Sequence, residues 1–442
     1  MNKFLPLILL LAVTLFACDG HRTSSSDDDS LESTSIDDDS PYAERIKNMA
    51  DIGITIDEED RTLAYSAEYD EEAPLGTSAH PLNSSLSDYL EILTVEQPKQ
   101  YGDVYLIQAG EASIAIDFGN TSYDYSDGTS YFSNLTNYYE NYLEDRHLDL
   151  LVLTHPHADH YGGYQALRAA VDSVGMIVDY GYYASGAENY RRDVRDYYVA
   201  RGAEYHRIYD MVKNVNGGMS RTYVTSELFI DWLDTGYYQE NYQDGPTVDD
   251  INVTSLAGIL AYRQFTYFFS GDLQNNSGYD GGTGGLGETS LVNLNTENAD
   301  IFHKVTMMKA AHHASGKANN DVLLNVLQPK IVTISAGAPS FDVEYNGKTG
   351  VCGGHPHYDA LVRFLTKGLV KRASAKIYLN FLNGTTSFIT DGLDKVFMRG
   401  SPLKMSYEGS SNNGQISKTF GSTEDIIHEL RESEWSSACH GL

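Results

Sequence analysis

The residues best suited to chemistry lie in one short run, 154–163, which reads THPHADHYGG. Three histidines and one aspartate fall within it, at His155, His157, Asp159 and His160. Imidazole nitrogen combined with carboxylate oxygen suits zinc, and manganese and iron are the alternatives. On an extended segment His155 and His157 project from one side, whereas Asp159 and His160 turn toward a second point as a helix begins. The run therefore predicts a transition-metal site.

Apolar segments that precede such residues predict the strands that position them. Leu148–Leu153 is strongly apolar and indicates a buried strand that ends at the metal-binding run. An apolar run ending in Phe269 predicts a strand that delivers Asp272. A further strand ends with Asp117, which we expect to support a neighbouring loop rather than bind metal.

Later in the chain, two more histidine groups follow apolar runs. Val305 to Ser315 reads VTMMKAAHHAS and contains His312 and His313, and GGHPH contains His355. Together with the first run, these elements resemble the H-x-H-x-D-H, G-D, K-x-x-H-H-x-S and G-H-P motifs of the metallo-β-lactamase superfamily. The subtype they resemble includes the hydrolase domain of late-competence DNA-uptake proteins and the phosphorylcholine esterases. The implied fold class is α/β, a four-layer αββα sandwich of two β-rich halves packed face to face.

The resemblance implies a centre of two divalent metal ions, zinc or alternatively manganese. His155, His157 and one of His312 or His313 then hold the first ion, and the choice between the two is left open. The second ion is held by Asp159, His160 and His355, and Asp272 bridges the pair. The catalytic residues implied are Asp159, His160 and His313.

One departure concerns the third ligand of the first ion. Many members of the superfamily have a glycine–histidine ligand between the first run and the bridging aspartate. Here the histidine in that interval is His206, which lacks the glycine context. The later His-His pair takes over this role in the subtype that the chain resembles.

Two ions about 3.5–4 Å apart activate a shared water, so that a hydroxide nucleophile forms near neutral pH. The site therefore predicts a metallohydrolase, and the resemblance points to phosphodiesters, namely a surface polymer or a phosphorylcholine-type ester. The alternatives are an extracellular nuclease and a lipid-anchored binding protein without turnover. A net charge of −31 disfavours nucleic acid. Tyrosines near residues 123–139 and 180–183 suggest a cation–π cage for choline, or simply a tyrosine-covered surface.

The N-terminus indicates export. A positive Met1–Lys3 segment and an apolar stretch end at Cys18, which is typical of a bacterial lipoprotein signal. We predict a signal peptide over 1–17, a disordered acidic tether over 18–42 and an acidic extension over 43–86. The hydrolase domain then spans 87–395 and a C-terminal extension spans 396–442. Cys352 and Cys439 are either paired or free.

Overall fold

A computed structural model of the chain describes most of the predicted hydrolase domain. The described residues are 89–97, 102–121, 130–143, 145–240, 251–275 and 287–336, with the separate segments 54–57, 62–65, 128, 343–345, 348–350, 355–357, 360, 363–364, 376–380, 384–393, 396–399, 406–411 and 414–419. The signal peptide, the tether and all three cysteines lie outside these residues.

The strands are β1 (Ile54–Asp57), β2 (Thr62–Tyr65), β3 (Leu90–Thr94), β4 (Val104–Ala109), β5 (Ala112–Phe118), β6 (His147–Leu153), β7 (Ser173–Asp179), β8 (Glu204–Arg207), β9 (Arg221–Tyr223), β10 (Leu228–Leu233), β11 (Ala257–Tyr262), β12 (Phe265–Phe269), β13 (Met307–Lys309), β14 (Ile331–Ile334), β15 (Val343–Tyr345), β16 (Lys348–Gly350), β17 (Lys376–Leu379), β18 (Thr386–Thr390), β19 (Val396–Arg399), β20 (Ser406–Ser411) and β21 (Gly414–Thr419).

The α-helices are α1 (Tyr131–Tyr142), α2 (Ala158–Tyr161), α3 (Tyr164–Ala170), α4 (Glu188–Tyr190), α5 (Asp196–Val199), α6 (Ile208–Lys213), α7 (Glu288–Asn295) and α8 (Asp321–Leu327). A π-helical turn, Arg191–Arg195, joins α4 to α5. Short 3-10 turns cover Ile251–Thr254 and Ala311–Ala314.

Two large sheets organise the molecule. The first has eight strands in the order β19-β18-β3-β4-β5-β6-β7-β8, and the second has seven in the order β17-β14-β13-β12-β11-β10-β9. Strands β5 to β8 run parallel, and so do β12, β13, β14 and β17. Central parallel strands are covered on both faces, which explains the nearly continuous apolar sequence of β6.

Alternating side chains of the second sheet separate two layers of core. Tyr267 of β12 faces the first sheet, where its ring lies 6.0 Å from that of Tyr105. Phe268 points the other way and packs in a cluster with Leu291 of α7 and Leu323 of α8. Since strand side chains alternate between faces, helices cover the outer face while the inner faces of the two sheets meet. The predicted α/β fold, the four-layer αββα sandwich, is confirmed.

Two details bear on the predicted organisation. Strand β19 pairs with β18 at the end of the first sheet. The sheet therefore continues just beyond the predicted domain end at residue 395. In the described part of the chain, no helix has both the length and the apolar character needed to cross a membrane.

The suggested tyrosine cage is wrong for most of its described members. Five of these side chains are buried in the core, namely Tyr131, Tyr138, Tyr139, Tyr180 and Tyr182. Large aromatic rings contribute much of the apolar area of this core, which a count of tyrosines in the sequence cannot reveal. Tyr183 is exposed, whereas Tyr123 and Tyr125 lie outside the described residues.

The metal-binding run is anchored to the first sheet by a close backbone approach. The N–H of Gly163 donates to the carbonyl of Gly119 at 3.1 Å. A Cβ atom at Gly163 would lie 2.0 Å from the carbonyl oxygen of Phe118, so only glycine fits without a shift of the backbone.

We expect Gly163→Ala to lower the free energy of unfolding by about 1–3 kcal/mol, as overpacking of a filled interior typically does. Chemical denaturation of the metal-free chain measures this change. Gln165→Ala, on the exposed face of the next helix, is the control and should stay within about 0.5 kcal/mol of the parent. Equal effects of the two substitutions would contradict the steric argument.

Candidate metal centre

The predicted metal ligands follow the carboxyl ends of parallel strands in both sheets. Strand β6 leads into the run that begins at His155, β12 leads to Asp272, and β13 leads to His312 and His313. Loops at this edge of a parallel sheet commonly form binding sites. The loops of the two sheets meet here, because Nε2 of His313 lies 3.2 Å from Oδ2 of Asp159.

Asp117 organises the first loop from beneath. Its carboxylate accepts hydrogen bonds from the backbone N–H of Thr154 at 2.8 Å and from the Thr154 hydroxyl at 2.8 Å. It also accepts one from Nδ1 of His160 at 2.7 Å. This bond directs Nε2 of His160 toward the centre, so Asp117 orients a ligand and supports the loop, as the sequence suggested.

His155 and His157 form the first part of the centre. Nε2 of His155 lies 2.9 Å from Nδ1 of His157 and 3.7 Å from Oδ2 of Asp272. The other nitrogen of His155 lies 3.2 Å from the Thr154 hydroxyl, whose proton goes to Asp117. Nδ1 of His155 is therefore the donor, and Nε2 is left with a lone pair that faces the centre.

Asp159, His160 and His313 form the second part, around the other oxygen of the Asp272 carboxylate. Oδ1 of Asp272 lies 3.2 Å from Nε2 of His160 and 3.5 Å from Nε2 of His313. Oδ2 of Asp159 lies 3.6 Å from the same His160 nitrogen. Asp272 therefore faces one group of histidines with each of its oxygens.

The structure also separates the roles of the two adjacent histidines. Nε2 of His312 lies 3.7 Å from Oδ2 of Asp272, the oxygen nearest His155. Nδ1 of His312 bonds to the side-chain oxygen of Gln274 at 2.6 Å, whereas Nδ1 of His313 donates to the carbonyl of Ser335 at 2.8 Å. His312 therefore joins the first part of the centre and His313 joins the second.

An unusual backbone turn allows these neighbours to point apart. His312, His313 and Ala314 all have positive φ values, 48°, 49° and 63°. Non-glycine residues in this region are strained, and such strain tends to occur at functional sites. Asn319 holds the turn, because its side chain accepts from the N–H of Ala311 at 2.8 Å and donates to the carbonyl of the same residue at 2.9 Å.

A buried carboxylate supports this turn from behind. Glu288 accepts hydrogen bonds from the backbone N–H groups of Asn319 and Asn320 and from the Asn320 side chain. Burial raises the pKa of Glu288 to about 7, although these hydrogen bonds oppose the shift. The Arg363 guanidinium donates to three carbonyls of the same segment.

His355 lies beside the His-His turn. Its ring centroid is 4.9 Å from that of His312 and 6.0 Å from that of His313. Nδ1 of the neighbouring His357 accepts a hydrogen bond from the Gly316 N–H at 2.7 Å. The assignment of His355 to the second metal, with Asp159 and His160, stays a prediction.

Two contributors to the centre were not singled out from the sequence. Asp103 and Lys309 are buried and form an ion pair there. Nδ1 of His313 lies 3.4 Å from Asp103, and Nζ of Lys309 lies 3.5 Å from Oδ1 of Asp272. Lys309 belongs to the K-x-x-H-H-x-S motif that carried the resemblance, and Asp103 follows Gly102 directly before a strand, so these positions were the available signal.

Negative charge is concentrated in this small volume. Four carboxylates face one ammonium group, that of Lys309. They belong to Asp103, Asp117, Asp159 and Asp272. Such an excess of buried charge must be met by protons or by bound cations.

The pKa values of two histidines respond to that charge. Burial lowers the pKa of His160, but the surrounding carboxylates, led by Asp272, outweigh it and raise the pKa well above its usual range. The pKa of His313 is raised well above its usual range by the same balance of burial and carboxylates. By contrast, burial lowers the pKa of His312 to about 4 and that of His155 well below its usual range.

The arrangement fits divalent metal. Within the described residues, two groups bring their ligand atoms within 4.8 Å of one another, and Asp272 belongs to both. One contains Asp103, His160 and His313, and the other contains His155 and His157. Nε2 of His160 is buried without a hydrogen-bond partner in the described part of the chain, as expected of an atom that ligates an ion.

The remaining described histidines lie elsewhere. His206 is on edge strand β8, with Nε2 3.6 Å from Glu204. His147 bonds to the Ser173 hydroxyl, and His303 bonds to a neighbouring carbonyl. The lack of a glycine context had already set His206 apart.

Several solved structures match the chain at low sequence identity. Among solved structures, the metallo-beta-lactamase fold protein YhfI from Bacillus subtilis is 12% identical, with 66% of this chain and 96% of that chain covered and a TM-score of 0.35. The short form of human tRNase Z is 11% identical, covering 55% and 91% with a TM-score of 0.30. Unliganded yeast PDE1 is 11% identical, covering 66% and 87% with a TM-score of 0.33.

No curated protein matches the chain. The sequence model of one family matches residues 98–274, a segment that includes His155, His157, Asp159, His160 and Asp272. The model describes the metallo-beta-lactamase superfamily, so the segment that supplies these candidate ligands is similar to that superfamily.

Proposed function

We propose that the protein is a dinuclear metal-dependent hydrolase that cleaves phosphodiesters. The observation that carries this proposal is the Asp272 carboxylate, which faces His155 and His312 with one oxygen and His160 and His313 with the other. A carboxylate shared between two groups of ligands suits a pair of divalent ions. Zinc fits the nitrogen-rich donor set, and manganese is the alternative.

The residues divide into two sets around this carboxylate. The first ion would be held by His155, His157 and His312. The second would be held by Asp159 and His160, with His313 added from the geometry and His355 retained from the resemblance. When bound, the pair supplies Lewis-acid activation of water and offsets negative charge that develops on the substrate.

The chain itself fixes the direction of the ligands and of substrate entry. His155, His160 and His313 are fully buried, which keeps bulk water from the inner side of the centre. Asp159 and His312 retain side-chain exposures of 13% and 19%. We therefore expect substrate to enter from the side of Asp159 and His312, and the ring of His355 lies next to that of His312.

The choice of phosphodiester rests on two resemblances. Residues 309–315 resemble the K-x-x-H-H-x-S element, and His355-Pro356 resembles the G-H-P element. The acidic chain disfavours nucleic acid, so the proposed substrate is a surface polymer or a phosphorylcholine-type ester. Export and a lipid anchor on Cys18 are part of this proposal, because they would place the enzyme beside such substrates. The nuclease and the non-catalytic metal-binding lipoprotein are the competing outcomes.

Metal binding is predicted to release protons. In the metal-free protein the raised pKa values keep His160 and His313 protonated at neutral pH, and each must lose a proton to become a ligand. Apparent zinc affinity should therefore rise with pH, by roughly tenfold per pH unit for each proton released. Calorimetric titration with zinc in buffers of different ionisation enthalpy counts these protons.

Two variants make this titration specific. His160→Gln should reduce the number of protons released by about one. His147→Gln removes a histidine that bonds to Ser173 outside the centre, and it should leave the number unchanged. Proton-neutral zinc binding by the parent protein would contradict the assigned charge states.

The activity is tested with the full chain loaded with zinc or, separately, with manganese. The substrates are a chromogenic phosphorylcholine ester, single-stranded DNA and double-stranded DNA. We expect cleavage of the choline ester by the parent protein. The double variant Asp159→Ala, His160→Ala should lower this activity by more than about 100-fold, because loss of the outer partners of metal ligands alone costs up to about 100-fold. Asp300→Ala, His303→Ala changes the same residue types on an exposed turn and should retain activity.

The other outcomes each reject part of the proposal. Dominant cleavage of DNA would identify a nuclease and show that the net charge misleads. Two bound ions without turnover of any of these esters would favour the non-catalytic alternative.

A further inference from the structure

A buried ion pair connects the two sheets directly behind the candidate metal centre. Asp103 immediately precedes β4 of the first sheet, and Lys309 is the last residue of β13 in the second. Their side chains are 1% and 2% exposed and contact each other. Asp103 belongs to one of the two groups of potential ligand atoms, but the two proposed ions are assigned to other residues, and Lys309 is in neither group.

Each residue of the ion pair also forms a hydrogen bond with one of the two loops that carry candidate ligands. The backbone N–H of Asp103 donates to the carbonyl of Asp159 at 3.1 Å. Nζ of Lys309 donates to the carbonyl of Gly271 at 2.6 Å and lies 3.5 Å from Oδ1 of Asp272. A single connection therefore runs from the Asp159 loop, through the ion pair, to the turn that presents Asp272.

The hydrogen bond from Lys309 helps to fix the turn at Gly271. Gly271 has a φ of 49°, and its carbonyl oxygen also accepts from the N–H of His312 at 3.1 Å. Lys309 thereby joins the turn before Asp272 to the turn that carries the two histidines. Small rotations at Gly271 would move both oxygens of the Asp272 carboxylate relative to their neighbours.

We propose that the Asp103–Lys309 pair is a positioning device that keeps Asp272 between the two groups of ligands. The inference rests on the dinuclear function proposed above and adds two residues to it. The ammonium of Lys309 by itself repels divalent ions, so we expect it to favour metal binding by positioning Asp272 rather than through its charge. Supporting partners of metal ligands commonly contribute 10- to 100-fold in metal affinity.

The test removes the pair without changing the charge of the site. The double variant Asp103→Asn, Lys309→Met removes one negative and one positive charge, and each new side chain is similar in size to the one it replaces. Replacing both members of a buried ion pair is often neutral for stability, so we expect thermal unfolding of the metal-free double variant close to that of the parent. Its affinity for the more weakly bound of two zinc ions should fall by about 10- to 100-fold in a chelator competition.

A second readout reports the geometry itself. In the manganese-loaded parent we expect magnetic coupling between two Mn²⁺ ions in electron paramagnetic resonance. The coupling should weaken in the double variant, because Asp272 no longer faces both ions in a fixed orientation. A change in overall stability alone would not produce this effect.

The matched control is the ion pair of Lys213 and Asp234, which lies away from the centre and is partly exposed. Asp234→Asn, Lys213→Met should leave zinc affinity and manganese coupling unchanged. If the Met variant of the central pair does not fold, Asp103→Asn, Lys309→Gln takes its place. Gln is one bond shorter than Lys, so it would reach Gly271 poorly, and a weaker coupling is expected there too.

Parent-like zinc affinity and manganese coupling in the folded central variants would overturn the proposal and leave the pair a structural link only. Failure of the parent protein itself to bind two ions would instead reject the dinuclear function and, with it, this role of the pair. The parent and the variants therefore distinguish the two failures.

Discussion

The structure depends on how buried negative charge is balanced at the junction of the two sheets. Asp103, Asp117, Asp159 and Asp272 converge there, and among the described residues the Lys309 ammonium contacts two of them, Asp103 and Asp272. A buried carboxylate without a partner is strongly unfavourable, so this convergence is tolerable only with compensating positive charge. In the metal-free state the carboxylates raise the pKa values of His160 and His313 well above their usual range, which favours the positively charged form of both rings. Divalent ions can provide positive charge without protons.

The fold provides the geometry that this balance requires. Parallel strands in both sheets deliver their carboxyl-terminal loops to one edge, and the apposed sheets bring loops from distant parts of the chain within hydrogen-bond distance. Supporting bonds then orient the histidines individually. Asp117 orients His160, Gln274 orients His312, and the carbonyl of Ser335 orients His313. Each of these bonds leaves Nε2 directed at the centre, as in metal sites generally.

The sequence was most informative where ligands lie close together in a run. The H-x-H-x-D-H spacing, the apolar run before it and the apolar strand before Asp272 are all local features. They are among the features that carry the resemblance to the superfamily, and that resemblance implied the sandwich fold. The different directions of the His312 and His313 side chains were left open, because they arise from three consecutive left-handed residues that spacing does not reveal. Asp103 and Lys309 were missed as a pair, since their contact joins residues that are far apart in the chain. The tyrosines misled because aromatic composition does not distinguish an exposed cage from a buried core.

The central claim is that Asp272 is shared by two ions. Anomalous diffraction at the zinc absorption edge, from crystals of the zinc-loaded full chain, tests it most directly. We expect two peaks on opposite sides of the Asp272 carboxylate, one beside His155, His157 and His312 and the other beside Asp159, His160 and His313. A single peak, or two peaks of which only one touches Asp272, would contradict it.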